Sequence, residues 1–141
     1  MLTENTVIEA TARALERQGA DVLSMCTTGE RGVDIVARLS DGRLLHVEAK
    51  GQTSSKPETA RFGKPFNASQ WYDHVAKATY MMMAALAERS ADAVALAFPS
   101  CPLAERYVGK IEPVLTNLGI CVIWVDADLT VRCNNPNNLL K

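Results

Sequence analysis

Two short apolar segments separated by Ser40-Asp41-Gly42 constrain the fold of this chain more than any other feature. Residues 33–39 and 43–50 alternate apolar and polar side chains, which is typical of β-strands with one buried face. An Asp-Gly pair between two such segments indicates a β-hairpin. The sequence therefore predicts a pair of antiparallel strands in the first half of the chain.

The length of the hairpin turn decides which residues face each other. A two-residue turn would set Asp34 opposite Ala49. A three-residue turn places Gly42 in the left-handed conformation that such loops require, and it sets Asp34 opposite Glu48. This register gives one apolar face and one face that carries the acids and the nearby Lys50. Because burial of a consistent apolar face fixes register strongly, we predict the three-residue turn.

The remaining pattern predicts the elements that surround the hairpin. Helical spacing predicts helices over 4–18, 68–89 and 102–118, and β-rich runs predict strands over 20–27, 92–98 and 120–125, with a short edge strand over 129–133. Thr3 is the expected N-cap of the first helix. The order αβββαβαβ predicts an α/β fold with a single mixed β-sheet flanked by helices, antiparallel at one side and parallel at the other.

Composition favours one packed domain over residues 1–141. The chain is 48% apolar and 22% charged with a net charge of −1, which excludes a disordered tail and a globally basic nucleic-acid coat. Neither a membrane-spanning run nor a secretory signal is recognisable, and the four cysteines form no CxxC pair. We expect a cytoplasmic protein with reduced thiols, a long loop over 51–67 and a polar tail from about 134 to 141.

The acids of the hairpin suggest a metal site. Two carboxylates side by side repel each other unless a cation lies between them. Oxygen ligands with waters left in the shell suit Mg²⁺ or Mn²⁺. A lysine two residues from a ligand can hold a water or stabilise charge on a phosphate. Asp34, Glu48 and Lys50 thus predict metal-assisted phosphodiester hydrolysis, and the alternative is a solvated charge pair at a strand end.

The motifs around these residues resemble those of a known superfamily. Gly32-Val33-Asp34 opens one strand and Glu48-Ala49-Lys50-Gly51 closes the next, after a long helix and before a polar loop. This pattern resembles the restriction-endonuclease-like PD-(D/E)xK nucleases, and within them the Mrr-type restriction endonucleases and archaeal Holliday-junction resolvases. Val33 stands in place of the proline of the motif. The resemblance implies a restriction-endonuclease-like fold and a Mg²⁺- or Mn²⁺-dependent endonuclease that acts on DNA.

The resemblance also implies roles for individual residues. Asp34 and Glu48 would be metal ligands together with the backbone carbonyl of Ala49, and Lys50 would position the attacking water. Asp34, Glu48 and Lys50 are therefore the expected catalytic residues.

Further site residues are implied less directly. Many members place another acid on the first helix, where Glu9 is the best match and Glu16 the second. The alternative for Glu9 is a solvated helix glutamate. Gln52 could contact substrate or a water on the metal, or be an ordinary solvated loop residue.

The charges of the loop after Lys50 suit either a nucleic-acid surface or an ordinary solvated loop. Lys50, Lys56, Arg61 and Lys64 are opposed only by Glu58. Such a basic loop beside a metal site is suited to phosphate contacts, and the resemblance adds Gln70 on the next helix. The expected partners are DNA and a second copy of the chain, since a domain of this size needs a partner subunit to cut both strands. The alternative function is a nucleic-acid-binding or protein-interaction module on the same fold, without catalysis.

Overall fold

The computed structural model describes residues 1–27, 31–54, 56, 58, 60, 62–134 and 139. Within these ranges the helices are α1 (Glu4–Arg17), α2 (Ala68–Ala87), α3 (Pro102–Gly109) and α4 (Glu112–Asn117). The strands are β1 (Asp21–Met25), β2 (Ile35–Arg38), β3 (Leu44–Ala49), β4 (Ala93–Pro99), β5 (Ile120–Val125) and β6 (Val131–Cys133).

The described strands form one six-stranded mixed sheet in the order β1-β2-β3-β4-β5-β6. β1, β2 and β3 are antiparallel neighbours, β3, β4 and β5 are parallel, and β6 returns antiparallel to β5. The predicted α/β class with a mixed sheet is confirmed. The parallel strands lie in the middle of the sheet because α2, and then α3 with α4, carry the chain back across it.

The β2–β3 hairpin has the predicted three-residue register. Ile35 pairs with Val47 and Ala37 with Leu45. The Leu39 amide donates to the Arg43 carbonyl at 2.8 Å, and Gly42 has φ +93°. The apolar face of the hairpin is completely buried, as the alternation predicted, and it consists of Ile35, Ala37, Leu45 and Val47.

Two apolar layers cover the two faces of the sheet. α1 packs on one face through side chains such as Ile8 and Leu15. The other face is covered by α2, α3 and α4, with Trp71 and Phe98 among its largest buried side chains. Glu48 points toward this second face, since its neighbour in the parallel ladder, Leu96, belongs to that layer. The sheet therefore places Glu48 on the side of α2.

The prediction of one helix over 102–118 is wrong, because the structure has two. Pro113 lies in the first turn of α4. Proline lacks an amide proton, and its ring collides with the carbonyl four residues earlier, which here belongs to Gly109. α3 accordingly ends at Gly109 and α4 starts afresh at Glu112.

Of the predicted polar tail, the structure describes only Asn134, which is exposed, and Leu139, while residues 135–138 and 140–141 lie outside the described residues. The Asn134 side chain accepts from the Val122 amide at 2.8 Å, and the Asn134 amide donates to the Val122 carbonyl at 3.1 Å. Leu139 is only 4% exposed and packs in the layer beside α1. Leu139 thus adds to the apolar layer beside α1.

Candidate active site

The open end of the β2–β3 hairpin brings Asp34, Glu48 and Lys50 together. Asp34 immediately precedes β2, and the register makes it the next residue opposite Glu48 after the Ile35–Val47 pair. The amide of Ala49 donates to Asp34 Oδ2 at 2.8 Å. Lys50 Nζ lies 3.4 Å from Glu48 Oε1. The three residues form one cluster, and their metal-binding and catalytic roles stay predictions.

Burial raises the pKa values of the two acids in this cluster. Asp34 is 8% exposed and Glu48 is 5% exposed. Burial, with repulsion from Asp34, raises the pKa of Glu48 to about 7, although Lys50 opposes the shift. Burial also raises the pKa of Asp34, against the hydrogen bond from Ala49 and the charge of Lys50. Two acids therefore share one nearby cation in a site that penalises negative charge.

A third acid, Glu4, belongs to the same electrostatic group. Burial raises the pKa of Glu4, Lys50 lowers it and Asp34 raises it. Glu4 in turn raises the pKa of Glu48. The first turn of α1 thus lies near the open end of the hairpin, and the sequence interpretation had not included Glu4 among the candidate site residues.

The structure does not bring Glu9, the helix acid chosen from the sequence, into this group. Glu9 is exposed and borders a shallow cavity of about 120 Å³ with Arg13, Arg17 and Leu129. Glu16, the second candidate, is also exposed. The two residues lie further along α1 than its first turn, which is the part that approaches Lys50.

Gly51 explains why the start of α1 reaches the site. A Cβ atom on Gly51 would lie 2.3 Å from the Glu4 amide nitrogen and 2.6 Å from the Thr3 carbonyl carbon. These distances are far shorter than any van der Waals contact, so only glycine permits the approach. The glycine that follows Lys50 therefore holds Glu4 beside the acids.

Gln52 secures the same contact. Its backbone amide donates to the Leu2 carbonyl at 2.7 Å, and its side-chain Oε1 accepts from the Leu2 amide at 3.0 Å. Thr53 continues the pairing as an isolated parallel bridge to Thr3. The observed contacts of Gln52 hold the start of the chain, and its expected contact with substrate stays a prediction.

The donor set fits a hard divalent cation. Glu48 Oε2 is buried and, among the described residues, has no hydrogen-bond partner apart from the Asp34 carboxylate, with which it can pair only when one of the two acids holds a proton. A buried oxygen of this kind needs an explanation, and an ion is one. Those residues contain no group of three His, Cys, Asp or Glu side chains placed to hold a metal. Mg²⁺ is, however, usually bound through one or two carboxylates with water and substrate phosphates, and Asp34 and Glu48 with the Ala49 carbonyl match that set.

The residues expected to contact nucleic acid have mixed placements. Lys56 and Lys64 are exposed, while Arg61 lies outside the described residues. Gln70 forms a capping box with Asn67, the N-cap of α2. The Gln70 backbone amide donates to Asn67 Oδ1 at 2.9 Å, and Gln70 Oε1 accepts from the Asn67 backbone amide at 2.8 Å. Gln70 therefore shapes the helix start, and its contact with DNA stays a prediction.

Aromatic packing fixes the end of the basic loop next to α2. The Phe66 ring lies 4.5 Å from the His74 ring and 6.2 Å from the Trp71 ring, measured between centroids. The Phe66 amide also donates to the Gln52 carbonyl at 2.9 Å. These contacts join the loop, the start of α2 and the segment after Lys50 into one side of the site.

Comparisons of the chain with protein-family profiles, with curated proteins and with solved structures give no match. The resemblance to restriction-endonuclease-like proteins thus depends on the motifs within residues 32–52 and on element order. Among the helices that the structure describes, none is long and apolar enough to cross a membrane.

Proposed function

We propose that this chain is a metal-dependent endonuclease that hydrolyses phosphodiester bonds in DNA. The observation that carries the proposal is the buried carboxylate pair, Asp34 and Glu48, with one lysine alongside and one Glu48 oxygen that no N–H or O–H group of the described residues reaches. Titratable groups with strongly perturbed pKa values cluster at functional sites more often than elsewhere.

A purely structural role explains this cluster poorly. A structural ion pair retains its charges by pairing them, because an unpaired buried charge is costly. Among the described residues, three acids (Asp34, Glu48 and Glu4) and one cation (Lys50) influence one another at the open end of the hairpin. An added divalent cation would balance the group, which is the expected property of a site that acts with a metal.

The proposed chemistry assigns one role to each group. Asp34, Glu48 and the carbonyl of Ala49 would hold a Mg²⁺ or Mn²⁺ ion, which when bound polarises a phosphate oxygen and lowers the pKa of a water. Lys50 would orient the attacking water and stabilise the charge that develops on the phosphate. Glu4 would add negative charge near the metal.

The proposed substrate contacts come from the loop after the site. Lys56, Arg61 and Lys64 would neutralise DNA phosphates, a term that depends on salt but not on base sequence. Gln70 would lie at the edge of the same surface. A homodimer would supply a second site for the second strand.

The test is a cleavage assay on duplex, single-stranded and four-way-junction DNA, with Mg²⁺ or Mn²⁺ and with a chelator. The expected result is metal-dependent cleavage of at least one substrate and its loss in the Asp34→Asn variant. Asp41→Asn, an equal change at the other end of the same hairpin, is the matched control and should cleave normally. DNA binding without cleavage under every condition would instead support the non-catalytic module.

A further inference from the structure

A small cavity between α2 and α3, called here the α2–α3 hollow, has mainly apolar walls and a basic rim. Its volume is about 210 Å³, and its lining residues are Tyr72, Val75, Ala76, Tyr107, Lys110 and Ile111. Pockets that enclose a drug-sized ligand or a cofactor measure roughly 300–1,000 Å³. The α2–α3 hollow is therefore too small for a whole cofactor and suits a single flat ring system.

An exposed tyrosine ring forms one wall of the hollow. Tyr72 lies on the second turn of α2 and is 63% exposed. Its ring meets the ring of Tyr107 edge to face, 6.3 Å apart between centroids. This contact positions the Tyr72 ring, while more than half of the side chain stays open to solvent. Proteins that bind single-stranded nucleic acids stack bases on aromatic rings presented in this way.

Two cations lie beside the same tyrosines. Arg106 Cζ lies 5.7 Å and Lys110 Nζ lies 5.5 Å from the centre of the Tyr107 ring. Neither cation forms a salt bridge with a carboxylate among the residues that the structure describes. Contacts between a cation and an aromatic face are weak at exposed sites, so both charges remain available to an anion.

The acids of these helices lie away from the hollow. Asp73 follows Tyr72 directly and therefore points about 100° further round α2. Glu105 Oε1 accepts from Ser100 Oγ at 3.1 Å, and Glu112 borders a separate cavity. The described lining of the α2–α3 hollow thus includes a cation and no acid, which makes the hollow complementary to an anionic group.

The hollow lies at the same end of α2 as the proposed active site. The Phe66 amide donates to the Gln52 carbonyl at 2.9 Å, so α2 starts beside the segment that follows Lys50. Tyr72 is four residues beyond Ala68, the first residue of α2, which is a rise of about 6 Å along the helix axis. A DNA strand at the metal site therefore passes close to the hollow.

We infer that the α2–α3 hollow binds one unpaired nucleotide of single-stranded DNA, with the base against Tyr72 and the phosphate at Lys110 and Arg106. The base supplies the flat apolar surface that the walls require, and the phosphate supplies the negative charge that the rim requires. The choice of DNA rests on the proposed function, and it makes an unpaired segment next to the cut part of the substrate. Binding requires neither metal nor cleavage, so the two proposals can fail separately.

The experiment is a fluorescence-anisotropy titration of a labelled thymidine strand of roughly 12 nucleotides with the full chain, in a chelator that prevents cleavage. Tyr72→Ala should weaken binding by about 5- to 100-fold, the usual loss for one stacked base, whereas Tyr72→Phe should retain it. Tyr80→Ala is the matched control, since Tyr80 is 73% exposed on α2 but does not line the hollow. That variant should bind like the wild type.

Two further measurements separate the base from the phosphate. An abasic strand of the same length should bind equally to the wild type and to Tyr72→Ala, because it has no base to stack. Lys110→Ala should reduce the slope of log affinity against log salt concentration by about 0.7, the value for one phosphate contact on a single strand. Lys77→Ala, which removes an exposed lysine of α2 outside the hollow, should leave the slope unchanged.

The inference would be overturned if the wild type did not bind the strand, or if Tyr72→Ala and Tyr80→Ala bound it equally. Equally tight binding of thymidine monophosphate would identify a site for free nucleotides, and Tyr72-dependent binding of a polyglutamate peptide would identify a protein partner. Either result would also overturn it. Metal-dependent cleavage combined with binding that ignores Tyr72 would retain the nuclease alone, whereas Tyr72-dependent binding without cleavage would retain this inference alone.

Discussion

Each end of the β2–β3 hairpin has an acid next to a basic residue, but the pKa values of the two acids are shifted in opposite directions. At the turn, Asp41 accepts from the Arg43 amide at 3.0 Å and from Arg43 Nε at 2.8 Å. These bonds hold the pKa of Asp41 below its usual range. At the open end, burial and Asp34 raise the pKa of Glu48 to about 7.

Solvent access explains the contrast between the two ends. The Asp41 side chain is 53% exposed, whereas the Glu48 side chain is 6% exposed. An exposed acid gains from a nearby cation at little cost, while a buried acid must lose water before it gains anything. The turn therefore has an ordinary surface ion pair, while the described residues at the open end include more acids than cations, which is the basis of the proposed metal site.

The largest expected effect is on the cleavage rate, when the basic residue at each end of the hairpin is replaced by alanine in a separate variant. Lys50→Ala should lower the cleavage rate by about 100-fold or more while DNA binding remains, because Lys50 is proposed to act at the reacting phosphate. Arg43→Ala, at the turn, should cleave like the wild type. Equal cleavage rates in the two variants would contradict a catalytic role for Lys50 at the open end.

A second prediction concerns the glycine that brings α1 to the open end. Gly51→Ala should lower the free energy of unfolding by roughly 2–4 kcal/mol, because its Cβ meets the backbone of α1 rather than a movable side chain. Gly109→Ala is the matched control, since nothing lies within 4 Å of a Cβ there. Urea denaturation measures both. A Gly51→Ala protein as stable as Gly109→Ala would mean that α1 does not approach Lys50 so closely.

A third prediction concerns stability without metal. The pKa of Glu48 is raised from 4.5 to about 7 in the folded chain. A raised folded-state pKa stabilises the fold below the unfolded value, and that contribution is lost as pH rises through 7. Glu48→Gln should therefore stabilise the metal-free chain at pH about 8 by on the order of 1–2 kcal/mol, or a few degrees in Tm, with a smaller gain at pH about 5.

Glu16→Gln is the control for that measurement, because Glu16 is exposed on α1 and its loss should change Tm little. A Glu48→Gln protein that is less stable than the wild type at both pH values would contradict the charge imbalance. It would indicate that Glu48 is held by an ordinary structural ion pair.

The smallest expected effect is at the turn. Asp41→Asn should change Tm by about 1 °C or less, since an exposed pair contributes little and asparagine can still accept from the Arg43 amide. Raising the salt concentration should narrow even that difference. Differential scanning calorimetry at low and high salt measures it, and a large salt-independent loss would show that the turn is not an ordinary surface pair.

The hairpin could be predicted from the sequence because its determinants are local. The alternation of 33–39 and 43–50 selects the buried face, and Asp41-Gly42 fixes the turn, so the juxtaposition of Asp34 and Glu48 followed directly. Thr3 could be assigned as the N-cap for the same reason, and its hydroxyl accepts from the Thr6 amide at 3.2 Å.

Glu4 could not be chosen over Glu9 from the same kind of pattern. Periodicity tells which side of α1 faces the sheet, but the distance of each acid from Lys50 depends on where the helix begins relative to residues 51–53. That placement comes from contacts between residues about fifty positions apart, such as Leu2 with Gln52. The only local indication was Gly51, whose missing side chain permits a close backbone approach.

Binding of Mn²⁺ measured by titration calorimetry tests the central claim most directly. The account predicts that the wild type and Asp41→Asn bind the ion, alone or with DNA present, and that Asp34→Ala does not. Binding should also weaken as pH falls below about 7, because the cation must displace the proton of Glu48. Absence of binding to the wild type, or equal binding to Asp34→Ala, would contradict a metal site at the open end of the hairpin.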